Sequence, residues 1–472
     1  MTPDEFRKHA HELVEWMAGY LENVENYPVK SSVKPGEIFN KIPGNPPLLS
    51  ESFDSLMKDF NEIIMPGITH WQNPNFFAYF PANTSPASIL AEMLIATLGT
   101  QCMIWETSPA AAELEEKMMI WLRELIGLPS GFEGVIQDSA STATLAAILT
   151  AREKATNFSI NIEGFGKTGI LKVYCSEQTH SSVEKAVKIC GIGRKNLVKI
   201  PVKDDFSLDP QKLKNAIIND KNNGHTPCCV VATLGTTGST AVDPLRAIGE
   251  ICHENDIWLH VDAAMAGTAL ILPEFQWMLD GKEYIDSFVF NPHKWMFTNF
   301  DCTAYFVKDA GALIKTFEIL PEYLKTRTRG KVNDYRDWGV PLGRRFRALK
   351  LWSVIRTYGV EGLRDKVRNH IGIAAELSDM ISKEVDFEIL APVIISLVCF
   401  RYIPAGFNED QINVLNEKLN HQLNDSGKLY LSHTVLNGKY ALRMVTAQTN
   451  VTPGHVEKAW LLIKETARSL KS

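Results

Sequence analysis

The sequence lacks the features that mark several large classes of protein. Its longest apolar stretch, Ile89–Leu98, is interrupted by Glu92 and is too short to span a bilayer. Residues Met1–Glu5 have no basic segment leading into an apolar one, so we expect no secretory signal. With 49 basic and 55 acidic residues, the net charge of −6 argues against a nucleic-acid coat or a polybasic membrane binder.

The eight cysteines form neither a disulfide framework nor a zinc site, because no two have the Cys-x-x-Cys spacing. A chain of 472 residues buries enough surface to fold without disulfides. The pattern is typical of reduced thiols in a cytosolic protein. We therefore expect a cytoplasmic location and no structural metal.

Length and patterning predict three segments, at roughly 150 residues per domain. Residues 4–24 predict an amphipathic helix, followed by a Pro- and Gly-rich stretch, so that residues 1–85 form an appendage needing a partner surface. From 86 to 355, helical patterns alternate with apolar runs. These runs are Ile170–Cys175, Cys228–Thr233, Ile257–Ala263, Ile285–Phe290 and Cys302–Val307. They predict a mostly parallel sheet covered on both faces, with ligands at the carboxyl ends of its strands.

Residues 356–472 predict a smaller α+β domain. A long helical pattern comes first, short strand patterns follow it, and a final helical pattern closes the chain. The elements are helices at Val360–Ser382 and Pro453–Leu470, with strands at Phe387–Ile389, Leu397–Tyr402 and Tyr440–Val445.

Two charged side chains follow predicted buried strands. Asp262 ends one apolar run, and Lys294 follows another within Asn-Pro-His-Lys-Trp. A carboxylate at such a position is costly unless a cation meets it. The pair allows two interpretations. It forms a salt bridge, or it brackets pyridoxal phosphate, with Lys294 bound to the aldehyde and Asp262 keeping the pyridine nitrogen protonated.

Three other segments favour the cofactor interpretation, although each has a structural alternative. Asp138–Thr142 precedes a helix and offers N–H groups and hydroxyls to a phosphate, or is a plain N-cap. His180 follows a strand and is suited to stack on a ring, or is structural; Ser181 and Glu184 predict a capping box beside it. The turn Gly235–Gly238 supports a ligand, or is only a loop.

Taken together, these segments resemble the group II pyridoxal-phosphate decarboxylases, specifically the aromatic-L-amino-acid decarboxylases. The matching segments are Asn75–Pro81, Ser139–Ser141, Thr179–Glu184, Ala232–Thr237, His260–Ala264, Phe290–Trp295, Asn299–Cys302 and Tyr335–Trp352. The resemblance implies an α/β, fold-type-I, aminotransferase-like homodimer with active sites at the subunit interface. Residues 1–85 would be an N-terminal helical arm on the partner subunit, 86–355 the cofactor domain and 356–472 the small domain.

The resemblance also implies a role for each matching position. Lys294 would carry the cofactor, Asp262 would contact its ring nitrogen, and Ala264 and His180 would lie on opposite faces of the ring. The phosphate would contact Ala140, Ser141 and Asn291, the cofactor Thr237, and the substrate ring Trp71, Tyr79, Phe80 and Met103.

Tyr335 lies in the polar stretch Thr326–Arg336, which is typical of a mobile lid. The resemblance implies that this loop closes over the active site and that Tyr335 protonates the former α-carbon after CO₂ leaves. From the residues alone, an exposed loop tyrosine is the simpler interpretation.

The sequence departs from the animal members of the family at several positions. They are Ala82, Gln101, Met103, Asp138, Thr142 and Met265. An acid such as Asp138 beside a phosphate is unfavourable unless it points away. The other changes affect substrate preference, since Met103 is adaptable. Gly343 leaves room for a larger ring, such as an indole.

We therefore expect decarboxylation of an aromatic L-amino acid to its arylalkylamine. A close alternative is an aromatic aldehyde synthase, which couples decarboxylation to oxidative deamination; Tyr335 and His180 favour the decarboxylase. A third hypothesis, a non-catalytic dimeric module of the same fold, is disfavoured because Lys294, Asp262 and Tyr335 are all present.

Overall fold

The computed structural model describes residues 1–166, 168–319 and 331–470. The chain groups into two compact units. The first comprises Met1–Pro81, Ala375–Leu390 and Val398–Ser472, and the second comprises Ala82–Ala374 and Ala391–Leu397. The predicted cofactor domain, residues 86–355, falls within the second unit. Packing of residues 1–85 on a partner subunit stays a prediction.

The described residues contain helices of very different lengths. They are α1 (Pro3–Asn23), α2 (Glu37–Lys41), α3 (Phe53–Asp59), α4 (Pro86–Leu98), α5 (Pro109–Ile126), α6 (Ala140–Ala155), α7 (Ile160–Glu163), α8 (Ser182–Ile189), α9 (Pro210–Asn222), α10 (Leu245–Asn255), α11 (Pro292–Trp295), α12 (Ala310–Phe317), α13 (Arg347–Ser382, interrupted at Gly359), α14 (Glu409–Asp425) and α15 (Pro453–Ser469). The helices predicted at residues 4–24, Val360–Ser382 and Pro453–Leu470 are confirmed as α1, the part of α13 after Gly359, and α15.

The start of α8 differs from its prediction. Ser181 itself has helical backbone angles (φ −59°, ψ −16°), and its side chain makes no capping hydrogen bond. Glu184 instead pairs with Arg194 at 3.0 Å and with Lys199 at 3.5 Å. The predicted capping box is therefore wrong, because these basic partners lie outside the local sequence window.

A seven-stranded sheet forms the centre of the second unit. Its strands are β1 (Glu133–Gln137), β2 (Leu171–Ser176), β3 (Leu197–Ile200), β4 (Thr226–Thr233), β5 (Trp258–Asp262), β6 (Ser287–Phe290) and β7 (Thr303–Val307). They lie in the order β1-β7-β6-β5-β4-β2-β3. Strands β6, β5, β4, β2 and β3 are mutually parallel, and β7 runs antiparallel to both of its neighbours. The predicted mostly parallel sheet is confirmed.

Helix α6 covers one face of this sheet and contacts β4, β5, β6 and β7. Small side chains permit this close approach. Ala143, Ala146, Ala147 and Ala151 are all fully buried within one apolar cluster with strand residues. The helix therefore packs across five strands, since it also contacts β1.

The first unit contains a four-stranded sheet and the N-terminal helices. Its strands are β8 (Phe387–Ile389), β9 (Leu397–Tyr402), β10 (Ser432–Leu436) and β11 (Lys439–Val445), in the order β10-β11-β9-β8. The Phe77 N–H donates to the Tyr430 carbonyl at 2.9 Å, and the Val445 N–H donates to the Phe77 carbonyl at 3.0 Å. Residues from both ends of the chain thus build one unit. Among the helices of the described residues, none has the length and apolarity needed to cross a membrane.

Candidate active site

The carboxyl ends of β4, β5 and β6 bring polar residues to one edge of the sheet. Asp262, at the end of β5, is paired in register with Thr233 of β4 and Val289 of β6. Its side chain is 5% exposed, and its Oδ1 accepts the Ala264 N–H at 3.0 Å. The Asn291 N–H donates to the Ala264 carbonyl at 3.0 Å. The segments that follow β5 and β6 are therefore held side by side.

Lys294 lies in the single turn of α11, directly after β6. Its N–H donates to the Asn291 carbonyl at 2.9 Å, and Asn291 Oδ1 accepts the Thr303 hydroxyl at 2.8 Å. Burial lowers the pKa of the Lys294 amine, and the neighbouring Asp262 carboxylate acts in the opposite direction. The structure thus brings together the two predicted residues. A lowered pKa increases the fraction of the amine that is neutral and therefore nucleophilic.

His180 follows β2 and joins this pair. Desolvation lowers the pKa of its imidazole; the charge of Asp262 raises that pKa and the charge of Lys294 lowers it further. Its Nδ1 accepts the Ser182 N–H at 3.2 Å. Because Nδ1 is an acceptor, the neutral ring carries its proton on Nε2. His180 therefore presents an N–H donor, and its surface is exposed.

The N-terminus of α6 supplies a place for an anion. The Ser139 hydroxyl caps the helix by accepting the Thr142 N–H at 3.2 Å. The N–H groups of Ala140 and Ser141 have no acceptor within the helix, and Ser141 is exposed. Free N–H groups and the positive end of the helix dipole favour a phosphate here.

Asp138 directly precedes the residue that caps α6. Its Oδ1 accepts the Ser139 hydroxyl at 3.2 Å. It lines a small cavity together with Arg344 and Arg347. Arg344 pairs with Glu115 and Arg347 pairs with Asp301, and the expected conflict between the Asp138 acid and a phosphate stays a prediction.

The turn after β4 carries Thr237, which is exposed at the same edge. Its shape depends on Gly235, whose φ of +79° lies in the left-handed region. A Cβ atom at Gly235 would lie only 2.7 Å from the Ala266 Cβ. The glycine thus lets this turn approach the segment that follows Asp262.

Two residues of this region were missing from the sequence prediction. Asp243 is 1% exposed and accepts the Thr233 N–H at 2.7 Å and the Leu208 N–H at 2.8 Å, while burial raises its pKa to about 6. The Thr233 hydroxyl is buried and has no hydrogen-bond partner among the described residues. A polar residue at the end of a buried strand, the signal that identified Asp262, also points to Thr233.

Tyr335 lies in a different environment from the one predicted. It is 2% exposed, its ring lies 5.4 Å from that of Trp338, and the Arg344 guanidinium lies 5.0 Å from its centre. Burial raises the pKa of the Tyr335 phenol well above its ordinary value of 10. Tyr335 packs in one apolar cluster with Val135 of β1 and lines a small cavity with Glu116 and Met119 of α5. The lid residues 326–330 lie outside the described residues, and the proton-donor role stays a prediction.

Met103 and Gln101 pack beside the chain segment that contains Tyr335. The Met103 carbonyl accepts the Arg336 N–H at 2.9 Å, and Gln101 Oε1 accepts the Arg344 N–H at 2.7 Å. A Cβ atom at Gly343 would lie 3.3 Å from Gln101 Nε2. Two of the positions that differ from animal relatives therefore shape this segment.

The predicted substrate wall lies in the first unit. The rings of Trp71 and Tyr79 stack with centres 5.9 Å apart, and the Tyr79 hydroxyl lies 3.3 Å from that of Tyr430. The Arg443 guanidinium lies 5.7 Å from the Phe80 ring. Trp71 is 36% and Tyr79 48% exposed, so this aromatic cluster presents free surface to a ligand.

The residues at the sheet edge fit pyridoxal phosphate. Lys294 offers an amine for the aldehyde, Asp262 a carboxylate for the pyridine nitrogen, and α6 unsatisfied N–H groups for the phosphate. The buried Thr233 hydroxyl adds an unsatisfied polar atom beside Asp262, and a buried hydroxyl without a partner is unfavourable unless a ligand satisfies it.

Comparison with known proteins identifies the class. The family described as "pyridoxal-dependent decarboxylase conserved domain" matches residues 35–403. Tyrosine decarboxylase 4 of Petroselinum crispum is 43% identical over the whole chain and 94% of its own length. Phenylacetaldehyde synthase of Arabidopsis thaliana is also 43% identical, over the whole chain and 97% of its length. A crystal structure of Oryza sativa TDC with PLP and tryptamine superimposes with a TM-score of 0.97 at 38% identity, covering 100% of this chain and 99% of that one.

The chain belongs to the pyridoxal-dependent decarboxylase family. It is accordingly a carboxy-lyase of fold type I whose cofactor is pyridoxal 5'-phosphate. The predicted resemblance to the aromatic-L-amino-acid decarboxylases is confirmed.

Proposed function

We propose that the chain converts aromatic L-amino acids into arylalkylamines and CO₂ at the sheet edge occupied by Lys294, Asp262 and His180. The observation that carries the proposal is the convergence of these three side chains, which interact electrostatically at the ends of separate strands. The names of the relatives support an aromatic substrate.

Each residue of the site has a definite task in this proposal. Lys294 Nζ would hold the cofactor through its aldehyde, and the Asp262 carboxylate would contact the pyridine nitrogen and favour its protonated form. The phosphate would be held by the N–H groups of Ala140 and Ser141 and by Asn291. Thr237 would contact the cofactor, and Ala264 would lie on one side of its ring. Bound pyridoxal phosphate supplies an electron sink for the pair of electrons left when CO₂ departs.

His180 and the aromatic cluster orient the substrate. The Nε2–H of His180 would donate a hydrogen bond to the substrate carboxylate and help to orient it. Trp71, Tyr79 and Phe80 receive the aromatic ring, and Met103 adapts to its size. Glutamate is a poor substrate in this proposal, because an aromatic wall offers no cationic anchor for a second carboxylate.

Tyr335 distinguishes the two reactions found among the relatives. We assign to its phenol the proton that reaches the former α-carbon, which gives an amine as product. The aldehyde-forming reaction remains the second candidate, since a relative of equal identity is named phenylacetaldehyde synthase. Retention of both Tyr335 and His180 favours amine formation.

A homodimer with active sites at the subunit interface is part of the proposal. Helix α1 contains no buried residue, although it is amphipathic. Large apolar side chains in α1 and in the segment that follows it are strongly exposed, with Phe6 at 60%, Phe39 at 80%, Leu48 at 99% and Leu49 at 84%. A soluble protein rarely leaves such an apolar surface uncovered, so it fits a second copy of the chain. A cytoplasmic location agrees with the eight free, buried cysteines.

A substrate panel tests the proposed function. The purified holoenzyme is incubated aerobically with tryptophan, tyrosine, dihydroxyphenylalanine, phenylalanine and glutamate, and CO₂, amine, aldehyde and peroxide are quantified. We expect CO₂ and amine in equal amounts from at least one aromatic amino acid and neither from glutamate. Equal amounts of aldehyde and peroxide in place of amine would establish the second candidate.

A further inference from the structure

His260 is a fully buried histidine that the reaction does not use. It lies on β5, two residues before Asp262, and is 0% exposed. Burial lowers the pKa of its imidazole to about 4, so the ring is neutral at physiological pH. Its two ring nitrogens contact different elements. Nδ1 lies 2.9 Å from the Ser287 hydroxyl of β6, and Nε2 lies 3.3 Å from the Thr144 hydroxyl of α6.

Three side-chain contacts connect four residues across the sheet and onto α6. The Trp258 Nε1–H donates to the Ser287 hydroxyl oxygen at 2.8 Å, because an indole is a donor only. The Ser287 hydroxyl contacts Nδ1 of His260, and Nε2 of His260 contacts the Thr144 hydroxyl. In the neutral imidazole one ring nitrogen donates and the other accepts, and a hydroxyl is able to take either role. All four side chains are buried, so water does not replace these bonds.

The link joins the two elements that hold opposite ends of the cofactor. Thr144 lies one helical turn after Ala140, roughly 6 Å along α6. Asp262 lies two residues beyond His260, roughly 6.6 Å along β5 toward the same edge of the sheet. Fixing Thr144 against His260 therefore fixes the free N–H groups of the helix relative to the Asp262 carboxylate.

We propose that His260 is a positioning residue that sets the distance between the phosphate site at the start of α6 and the ring-nitrogen site at Asp262. The proposal rests on the cofactor contacts proposed above and is independent of the substrate. A ligand that spans both ends, pyridoxal phosphate, benefits from the fixed distance. Pyridoxal, which lacks the phosphate, occupies only the ring end and does not.

The test compares the affinities of the cofactor-free protein for pyridoxal phosphate and for pyridoxal. Thr144→Val removes the hydroxyl on α6 at nearly constant volume, and His260→Asn removes the Nε2 atom that contacts it. We expect each to weaken pyridoxal phosphate about five- to ten-fold, the loss of one buried hydrogen bond, and to leave pyridoxal unchanged. His260→Gln places an amide N–H near the Nε2 position and should restore affinity to within about two-fold.

A matched control and a double variant complete the design. Thr150→Val alters another fully buried threonine of α6, whose hydroxyl donates only to the Ala146 carbonyl of its own helix at 2.9 Å. It should bind both ligands like the parent. The double variant Thr144→Val/His260→Asn should bind pyridoxal phosphate no more weakly than either single variant, because both remove the same bond.

Several outcomes would overturn the inference. They are an unchanged affinity in Thr144→Val, an equal loss for both ligands, or additive losses in the double variant. If His260→Asn does not fold, the comparison of Thr144→Val with Thr150→Val decides the question alone. A parent protein that binds pyridoxal as tightly as pyridoxal phosphate would instead contradict the proposed phosphate site.

Discussion

Thr233 and Asp262 are paired in register at the ends of adjacent parallel strands, and both side chains are 5% exposed. The carboxylate interacts with Lys294, whereas the hydroxyl has no partner among the described residues. This pairing puts a charged group and an unsatisfied polar group at the place where the ring of the cofactor is proposed to bind. Substitution of either residue therefore tests whether the site assignment is correct.

Asp262→Asn is expected to weaken cofactor binding about ten- to hundred-fold and to remove nearly all activity. The neutral amide loses a charge-assisted hydrogen bond worth roughly 1.5–3 kcal/mol and does not keep the ring nitrogen protonated. Equilibrium titration with pyridoxal phosphate measures the loss. Asp286→Asn is the control, because Asp286 precedes β6 at the opposite end of the strand and accepts the Leu259 N–H at 2.8 Å. Near-normal turnover of Asp262→Asn at saturating cofactor would refute the assigned role.

Thr233→Val is expected to stabilise the cofactor-free protein by about 1 kcal/mol, because it removes a buried hydroxyl that lacks a partner. The same change should weaken cofactor binding several-fold if the hydroxyl contacts the ligand. Urea unfolding without cofactor and titration with cofactor measure the two effects. Unchanged affinity in a stabilised variant would show that Thr233 does not contact the cofactor.

Tyr335→Phe is expected to keep cofactor binding and CO₂ release but to change the product. The phenol is needed for neither binding nor loss of CO₂, whereas its proton is needed to form the amine. Molecular oxygen then reacts at the unprotonated carbon, giving aryl acetaldehyde, ammonia and peroxide. Quantifying amine and aldehyde under air checks this outcome. Amine formation at the parent rate would make Tyr335 a structural residue, as its burial beside Trp338 alone suggests.

Buried neutral histidines are expected to make the protein less stable in acid. His370 accepts the Trp295 indole N–H at 3.0 Å, and desolvation lowers its pKa to about 3. Unfolding returns this pKa to about 6.5, so the unfolded chain binds an extra proton between pH 3 and 6.5 and stability falls as the pH drops through that window. His370→Gln retains an acceptor for Trp295 without this titration. We expect His370→Gln to have a lower free energy of unfolding in urea than the parent at pH 7. This difference should shrink by about 2 kcal/mol between pH 7 and pH 5. A pH-independent deficit would contradict the buried neutral state.

The strands that position the site were predictable because each is a nearly continuous apolar run. Strands β2, β4, β5, β6 and β7 were all expected at nearly their observed positions. Strands β1, β3 and β10 were not. β1 contains Gly134, β3 has only four residues including Lys199, and β10 begins with Ser-His-Thr. Their strand conformation depends on pairing with neighbours, which no local pattern reveals.

The burial of Tyr335 could not be predicted from the residues around it in the sequence. The surrounding segment is polar and charged, which predicted an exposed loop. In the structure Arg344 pairs with Glu115 of α5, more than two hundred residues earlier, and its guanidinium lies over the Tyr335 ring. Charges that are satisfied by distant partners allow a polar segment to cover an aromatic ring. The pairing of Asp262 with Lys294 was predictable because both follow apolar strands whose ends share an edge.

The central claim is that Lys294 bonds to the cofactor at this sheet edge. Borohydride reduction of the holoenzyme makes that bond permanent, and proteolysis followed by mass spectrometry locates the modified lysine. We predict a single pyridoxyl-modified peptide containing Lys294, absent from Lys294→Ala, whose visible absorbance of bound cofactor should also be lost. Modification of a different lysine, or unchanged labelling in Lys294→Ala, would contradict the account.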